Sequence, residues 1–493
     1  MGAQDGAGDR PAVSLAGLLP AARFIGCDDL RVRSSCDDAD RCRRGDLFVA
    51  RLTRRGDGHE AVPRAIARGA CGVVAERIVP TGGLPLCLVP DSAWAGGRVA
   101  HALAGDPARA LKLIAVTGTS GKTTTAWLAA AVLAEAGLRV GVLSDLGCLD
   151  ADGTLPQLRD YRSAASLAGR LATLAAGGCT HAVVEVSSRM LAEHALAGVT
   201  CDTVVVTNLA TAHLAEHGTQ RRYHAIKARV LDALPDRGCL VTGDGPAVER
   251  LRRLALRRRP ALELRTAGAG AGRDVAVRSL DRSLFGRTVL VTAGGQLVPA
   301  TLATPVTGFA RDAALAVAVG LRHGVPLELA VRGLESAGAV PGRVERIDRG
   351  QEAAVFLDAA TSGHALAATL ASLRRLTRGR LALVADERAA ATIGGKGFAA
   401  RVARWCDECL VAPRSMLRES AAGDDLAAYA RLDRLLSGLG RRDCLLVLGG
   451  PTDRRRGPGP GPDDGESALA DIVDGWLRLA HPPRLGRRGS RAA

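Results

Sequence analysis

Between Ala115 and Ala130 the chain reads AVTGTSGKTTTAWLAA. A glycine-rich turn between a strand and a helix points backbone N–H groups at phosphate oxygens, and the helix N-terminus adds partial positive charge. The turn here is Gly118-Thr119-Ser120-Gly121, with Lys122 opening the helix. A lysine ammonium is a compact point charge that reaches the β- and γ-phosphates, where the wider planar guanidinium of arginine does not fit. Thr123 offers a hydroxyl to Mg²⁺, and Thr124 extends the turn-to-helix match. The general phosphate-loop pattern carries one more glycine at its front, and Val116 stands in that place.

The lysine is informative because the chain has so few. Only Lys112, Lys122, Lys227 and Lys396 occur among 66 basic Lys and Arg residues. The elements that must hold the turn are readable nearby. Residues 111–118 form an apolar strand, 122–137 a helix closed by Gly137, and 139–145 the next strand. HAVVEVSS (181–188) and DTVVVTNL (202–209) are near-continuous apolar runs, as in parallel strands covered on both faces. Further on, 287–302 alternates like a hairpin around Gly294-Gly295, and 311–337 reads as two helices broken at Gly324.

Strand-and-helix alternation also marks 45–91 and 353–450, so the expectation is an α/β chain of three units. Their bounds are 1–108, 109–340 and 341–480, followed by a disordered basic tail at 481–493. TDRRRGPGPGPDDGES (452–467) predicts a mobile loop. Aromatics are 3% of the residues, so the cores must be built from Ala, Val and Leu, and base stacking is not the chain's business. Net charge is +15, yet no RNA-binding signature or zinc-finger spacing accompanies it, which argues against a nucleic-acid partner. RRLALRRRP (252–260) reads as a solvated helix face. Of the twelve cysteines only Cys406 and Cys409 form a tight pair, which one C-x-x-C reads as buried thiols in a reducing cytosol. The start lacks the apolar region of a signal peptide, and no apolar run is long enough to span a membrane; the expectation is a cytoplasmic protein.

Thr117 to Thr124 has the form that this loop takes in the Mur ligases, and the resemblance extends through most of the chain. It is nearest to the tripeptide synthetase branch. GDLFVA (45–50) with GDGHEAVPRAIARGACGVV (56–74) resembles that branch's first unit. EVSSRMLAEH (185–194), TNLATAHLAEHGTQRRYHAIKARVL (207–231) and VPGRVERI (340–347) resemble its later segments. The resemblance implies a three-domain architecture with a central parallel-sheet phosphate-loop ATPase domain and a Rossmann-like C-terminal domain. It implies ATP and two Mg²⁺ ions as cofactors, with Lys227 carbamylated into a carboxylate-like group. Glu185, His213 and Lys227 become metal ligands beside Thr123. Lys122, Lys227 and His213 become the catalytic set, and Arg343 and Asp358 become nucleotide contacts across the domain junction. The partners implied are a nucleotide-sugar peptide and an amino acid, handled by a monomer.

The implied reaction is amide formation through an acyl phosphate, in peptidoglycan synthesis. Departures from the family pattern fall on substrate positions. Asp38-Ala39-Asp40 replaces D-S-R, Arg189 replaces the histidine of E-V-S-S-H, and Ala195 an arginine. Ala212 and Ala215 replace two aspartates, Ala310 and Ala313 two asparagines, and D-N-P-R is reduced to Ala412-Pro413-Arg414. Positions for phosphate and metal are mostly kept. Two readings follow: a divergent amide ligase, or a catalytically impaired ATP-binding relative with a regulatory or scaffolding role.

Overall fold

The structure, a computed structural model, describes residues 11–53, 56–153, 160–210, 219–360, 362–417, 424–449 and 469–481. Three larger sheets follow one another along the chain, and the fold is α/β with mainly parallel strands. The first sheet has five strands in the order Arg23–Ile25, Leu86–Leu88, Gly72–Ala75, Leu47–Val49, Ser35–Cys36. The third also has five, in the order Arg343–Ile347, Ala354–Asp358, Cys444–Leu448, Leu381–Asp386, Glu408–Ala412.

The middle sheet has ten strands. Its parallel heart runs Val140–Ser144, His181–Glu185, Lys112–Thr117, Thr203–Val206, Cys239–Thr242. The glycine turn therefore leaves the carboxyl end of an inner strand, between the ends of the strands that carry Glu185 and Thr207-Asn208. Crevices of this kind are where open α/β sheets bind ligands. The sheet continues through Glu263–Ala269 into an antiparallel meander, Val275–Ser283, Gly286–Ala293 and Gln296–Leu302. The expected hairpin is its last turn, with Gly294 at φ 55° and Gly295 at φ 82°, the sign a tight two-residue connection needs. The first meander strand, Val275–Ser283, is absent from the sequence reading, because exposed polar residues such as Arg278 and Asp281 blur its alternation.

Packing against this sheet uses small residues. The helix Lys122–Glu135 lies under Thr307–Arg322 and Leu327–Ser336. A Cβ at Gly320 or Gly333 would collide with Val132, so these glycines set how closely the helices approach. The core there is mostly Ala, Val and Leu, with Ile114, Cys239 and a single aromatic, Phe309. The segment 252–260 lies mostly on the helix Pro246–Arg258, with Leu251, Arg252 and Ala255 turned inward and Arg253, Arg257 and Arg258 exposed. The loop at 452–467 and most of the basic tail fall outside the described residues. No helix among those described is long and apolar enough to cross a membrane.

The first sheet's unit is joined to the middle by packed contacts. The Nε2–H of buried His101 donates to the Ala195 carbonyl at 2.8 Å, and Gly97 leaves room for the His194 backbone. On the far side of the middle unit, His323 pairs with Thr203 Oγ1 at 3.1 Å and meets the His181 ring edge-on at 5.2 Å. Burial, then the nearby His181 charge, lowers the His323 pKa to about 4. The unfolded chain binds this proton near pH 6.5, so between about pH 6.5 and 4 it holds more protons than the native state. Stability from this group is thus lost as pH falls through that window, by at most about 3 kcal/mol. In His323→Gln, denaturant midpoints measured at about pH 7 and about pH 4.5 should lie closer together than in the parent chain.

Candidate active site

Two glycines shape the turn. Gly118 has φ 150° and Gly121 φ 80°. A Cβ on Gly118 would strike Thr207 Oγ1, and one on Gly121 would strike the Asp312 carboxylate. The turn is braced from the neighbouring strand end. Thr119 N–H donates to the Asn208 carbonyl at 3.0 Å, and Ser120 N–H to Asn208 Oδ1 at 3.2 Å. The Asn208 amide and the Thr207 hydroxyl both donate to the Ser120 carbonyl, at 2.9 and 2.6 Å. Burial pushes the Asp312 pKa well above the ordinary carboxylate range.

Glu185 closes the front of the site. It ends its strand at 1% exposure, and its Oε2 accepts the Thr123 hydroxyl at 2.8 Å and the Asp145 N–H at 3.1 Å. Its Oε1 lies 3.7 Å from Lys122 Nζ. Carboxylate and hydroxyl oxygens side by side are the hard donors a magnesium ion takes, so these residues fit that ion. Asp145 in turn pairs with Arg162 at 2.7 Å. Burial pushes the Asp145 pKa up, but that arginine, with Lys122 and Arg343 behind it, outweighs burial and holds it low.

Lys227 reaches the strand beneath the turn. Its Nζ donates to Thr117 Oγ1 at 2.9 Å and lies 5.8 Å from the Tyr223 ring centre, at 2% exposure. The Thr117 hydroxyl in turn donates to the Val186 carbonyl at 2.7 Å, and Tyr223 Oη lies 3.1 Å from Thr119 Oγ1. The helix Gln220–Ala228 thereby ties Lys227 and Tyr223 to the phosphate turn.

The third sheet contributes across the junction. Arg343 donates to Thr123 Oγ1 at 3.0 Å and to the Ala359 carbonyl at 2.5 Å. It sits at a bulge: Arg343 pairs with Asp358 and Glu345 with Leu357, and Val344 between them has φ 51°. That sign is a genuine outlier for a β-branched residue, and the bulge re-aims the flanking arginine. Asp358 is buried and accepts the Thr369 hydroxyl at 3.1 Å; burial raises its pKa and the Arg343 charge opposes the rise.

Of the residues singled out from the sequence, Lys122, Thr123, Glu185 and Arg343 come together, with the turn residues 118–121 around them. Thr124 is buried on the first helical turn, Lys227 stands behind Thr117, and Asp358 behind Arg343. His213 lies outside the described residues. The sequence reading assigned no site role to Thr117, Asp145, Arg162, Asn208, Tyr223 or Asp312. Position at a strand's carboxyl end was the available signal for Thr117, Asp145 and Asn208; nothing local marked Asp312.

Comparison with known proteins agrees with this geometry. Residues 116–319 match the family model described as Mur ligase middle domain. A UDP-N-acetylmuramyl-tripeptide synthetase from Roseiflexus sp. is 31% identical over 427 residues, covering 82% of each chain. A solved UDP-N-acetylmuramoyl-L-alanyl-D-glutamate–2,6-diaminopimelate ligase superposes with a TM-score of 0.67 at 19% identity, over 95% of this chain and 98% of that one. A MurF ligase from Thermotoga maritima, solved in complex with ADP, superposes with a TM-score of 0.55 at 19% identity, over 85% of this chain and 94% of that one.

Because Gly121 needs a left-handed backbone and abuts Asp312, Gly121→Ala should strain the turn by about 1–2 kcal/mol. ATP affinity measured by calorimetry should then fall about tenfold or more, since that strain displaces the amides that meet the phosphates.

Proposed function

The chain belongs to the Mur ligase family, and we propose that it is an ATP-dependent ligase joining an amino acid to a UDP-N-acetylmuramoyl-peptide in peptidoglycan synthesis. The observation that carries this reading is the meeting of Lys122, Thr123 and Glu185 at the mouth of a parallel sheet, with Arg343 delivered from the next sheet. In this reading residues 1–108 face the nucleotide sugar, 109–340 bind ATP, 341–480 receive the amine, and 481–493 form a tail. The reaction belongs in the cytoplasm, with the chain acting as a monomer.

The substrate carboxylate attacks the γ-phosphorus of ATP, ADP leaves, and an acyl phosphate forms. The amine then attacks the acyl carbon, loses its proton, and expels phosphate to leave the amide. The N–H groups of Gly118, Gly121 and the first helical turn, with the Lys122 ammonium, hold the β- and γ-phosphates in line, while those of Thr119 and Ser120 stay on Asn208. Arg343, already held at two points, brings a second fixed cation to the same edge. Thr123 and Glu185, with His213 and a carbamylated Lys227, are the proposed holders of Mg²⁺. Bound magnesium supplies neutralisation of the charge gathered on the transferring phosphoryl group. Lys227 is suited to modification because an amine, unlike a guanidinium, takes up CO₂. Arg343 and Asp358 also link nucleotide binding to closure of the third unit, which keeps water from the acyl phosphate.

A second reading is favoured by one observation. Ala195, Ala310 and Ala313, where the family pattern has an arginine and two asparagines, are all buried here. A relative that binds ATP without turnover would also keep the phosphate turn while losing such side chains.

Phosphate release should require ATP, Mg²⁺, a UDP-N-acetylmuramoyl-peptide and an amino acid together, and Lys122→Ala should lower it about 100-fold or more. Tight nucleotide binding with no acceptor-dependent release across a panel of amino acids would establish the second reading instead. For Lys227, isotope-labelled bicarbonate should give a carbamate carbon resonance that is absent in Lys227→Arg. Equal spectra from the two proteins would remove the modification from the scheme.

A further inference from the structure

The first sheet's unit holds a second cluster of ligating atoms, remote in sequence from the phosphate turn. Cys36 ends the strand Ser35–Cys36, Cys42 follows the turn at Ala39–Arg41, and Asp46 precedes the strand Leu47–Val49. Their thiol and carboxylate ligand atoms all lie within 4.8 Å of one another, and no other group of three such residues is this compact among the described residues. Cys42 and Asp46 are buried, whereas Cys36 is half-buried and gives access from the surface. All three cysteines of the neighbourhood, Cys36, Cys42 and Cys71, are free thiols.

The carboxylate is held by its own partners. Ser34 Oγ donates to Asp46 Oδ1 at 2.5 Å, and the Arg43 N–H donates to Asp46 Oδ2 at 2.8 Å. A carboxylate has about four acceptor sites, so each oxygen keeps capacity for a further partner. Such outer hydrogen bonds orient metal ligands. Cys71 N–H donates to the Asp46 carbonyl at 2.9 Å, which fixes the backbone at that point. Strand pairing of Cys36 with Phe48 fixes the other side. The ligands thus sit on a rigid frame instead of a loose loop.

The two thiols are mutually unfavourable as anions. Burial raises the Cys36 pKa, and Cys42 and Asp46 raise it further. A thiophilic divalent cation reverses that balance, since it turns crowding of three anionic ligands into coordination.

We propose that Cys36, Cys42 and Asp46 form a binding site for a thiophilic divalent cation of the zinc class, with a fourth position open to water. Binding exchanges one proton from each thiol for a metal–sulfur bond, and the carboxylate adds a metal–oxygen bond. Neither oxidant nor reductant is consumed. The site clasps the two ends of the segment Asp37–Arg41, which carries Asp38-Ala39-Asp40. Metal occupancy therefore holds that turn against the sheet. This inference is independent of the ligase reading, because it concerns different residues in a different unit.

Cobalt(II) is the probe. The full-length chain, kept reduced and freed of metal by a chelator, is titrated with Co²⁺ and then with Zn²⁺. One equivalent should bring in thiolate-to-cobalt charge-transfer bands, and zinc should erase them. The bands should weaken in Cys36→Ser, vanish in the Cys36→Ser/Cys42→Ser double variant, and persist in Cys409→Ser. Zinc should also raise the parent chain's thermal midpoint by about 3 °C or more. Bands that survive the double variant, or that disappear in Cys409→Ser, overturn the proposal by placing the metal elsewhere. Absence of bands at one equivalent overturns it outright. Should the double variant fail to fold, X-ray absorption at the zinc edge of the parent protein decides. Two sulfur scatterers with lighter atoms support the site; four sulfurs, or none, overturn it.

Discussion

Glu185 carries a carboxylate at 1% exposure, and much of the middle unit is arranged around it. A charge taken from water needs partners, and removal of one partner from a buried pair costs about 3–5 kcal/mol. Here the partners are the Lys122 ammonium, the Thr123 hydroxyl and the Asp145 N–H. The first two come from one helix start and the third from the end of a neighbouring strand. Their convergence requires the parallel pairing of Lys112–Thr117 with His181–Glu185, in which Val116 faces Glu185. A shift of register by one residue would turn Glu185 to the other face of the sheet. The glycine turn, the lysine helix and the register are therefore one constraint seen from three sides.

That constraint explains the small residues behind the site. The helix starting at Lys122 must lie close to the sheet and be clamped from outside by two more helices. Gly320 and Gly333 allow that approach, and the alanines of Thr307–Arg322 fill the space between. The same helix brings Asp312 against Gly121. Ala310 and Ala313 are buried on it. Where the family pattern has asparagines, this chain has apolar packing.

The junction with the third sheet follows a similar logic. Arg343 reaches Thr123 only because its strand bulges at Val344, a conformation that costs about 1–3 kcal/mol for a non-glycine residue. Strain of that size is retained where the surroundings hold it in place, and here those are the strand pairing with Asp358–Val355 and the Ala359 carbonyl. The arginine thus links one sheet's edge to the first turn of the other sheet's helix.

The sequence alone determined the phosphate turn, the family, the α/β class and most strands of the parallel heart. These depend on short-range facts: apolar runs long enough for buried strands, glycines where φ must be positive, and a lysine in a chain that otherwise uses arginine. It also marked Glu185 and Lys227, through resemblance to the family's segments. Tertiary structure alone decided the rest. Asn208 braces the turn from 88 residues away, Lys227 meets Thr117 across 110, and Arg343 meets Thr123 across 220. Cys36, Cys42 and Asp46 look like scattered residues until the strand Leu47–Val49 folds beside Ser35–Cys36. Local pattern reports what each residue needs from its own backbone and its neighbours along the chain. Which distant group arrives to satisfy a charge or a hydroxyl is set by strand order and register, and those exist only once the sheet has formed.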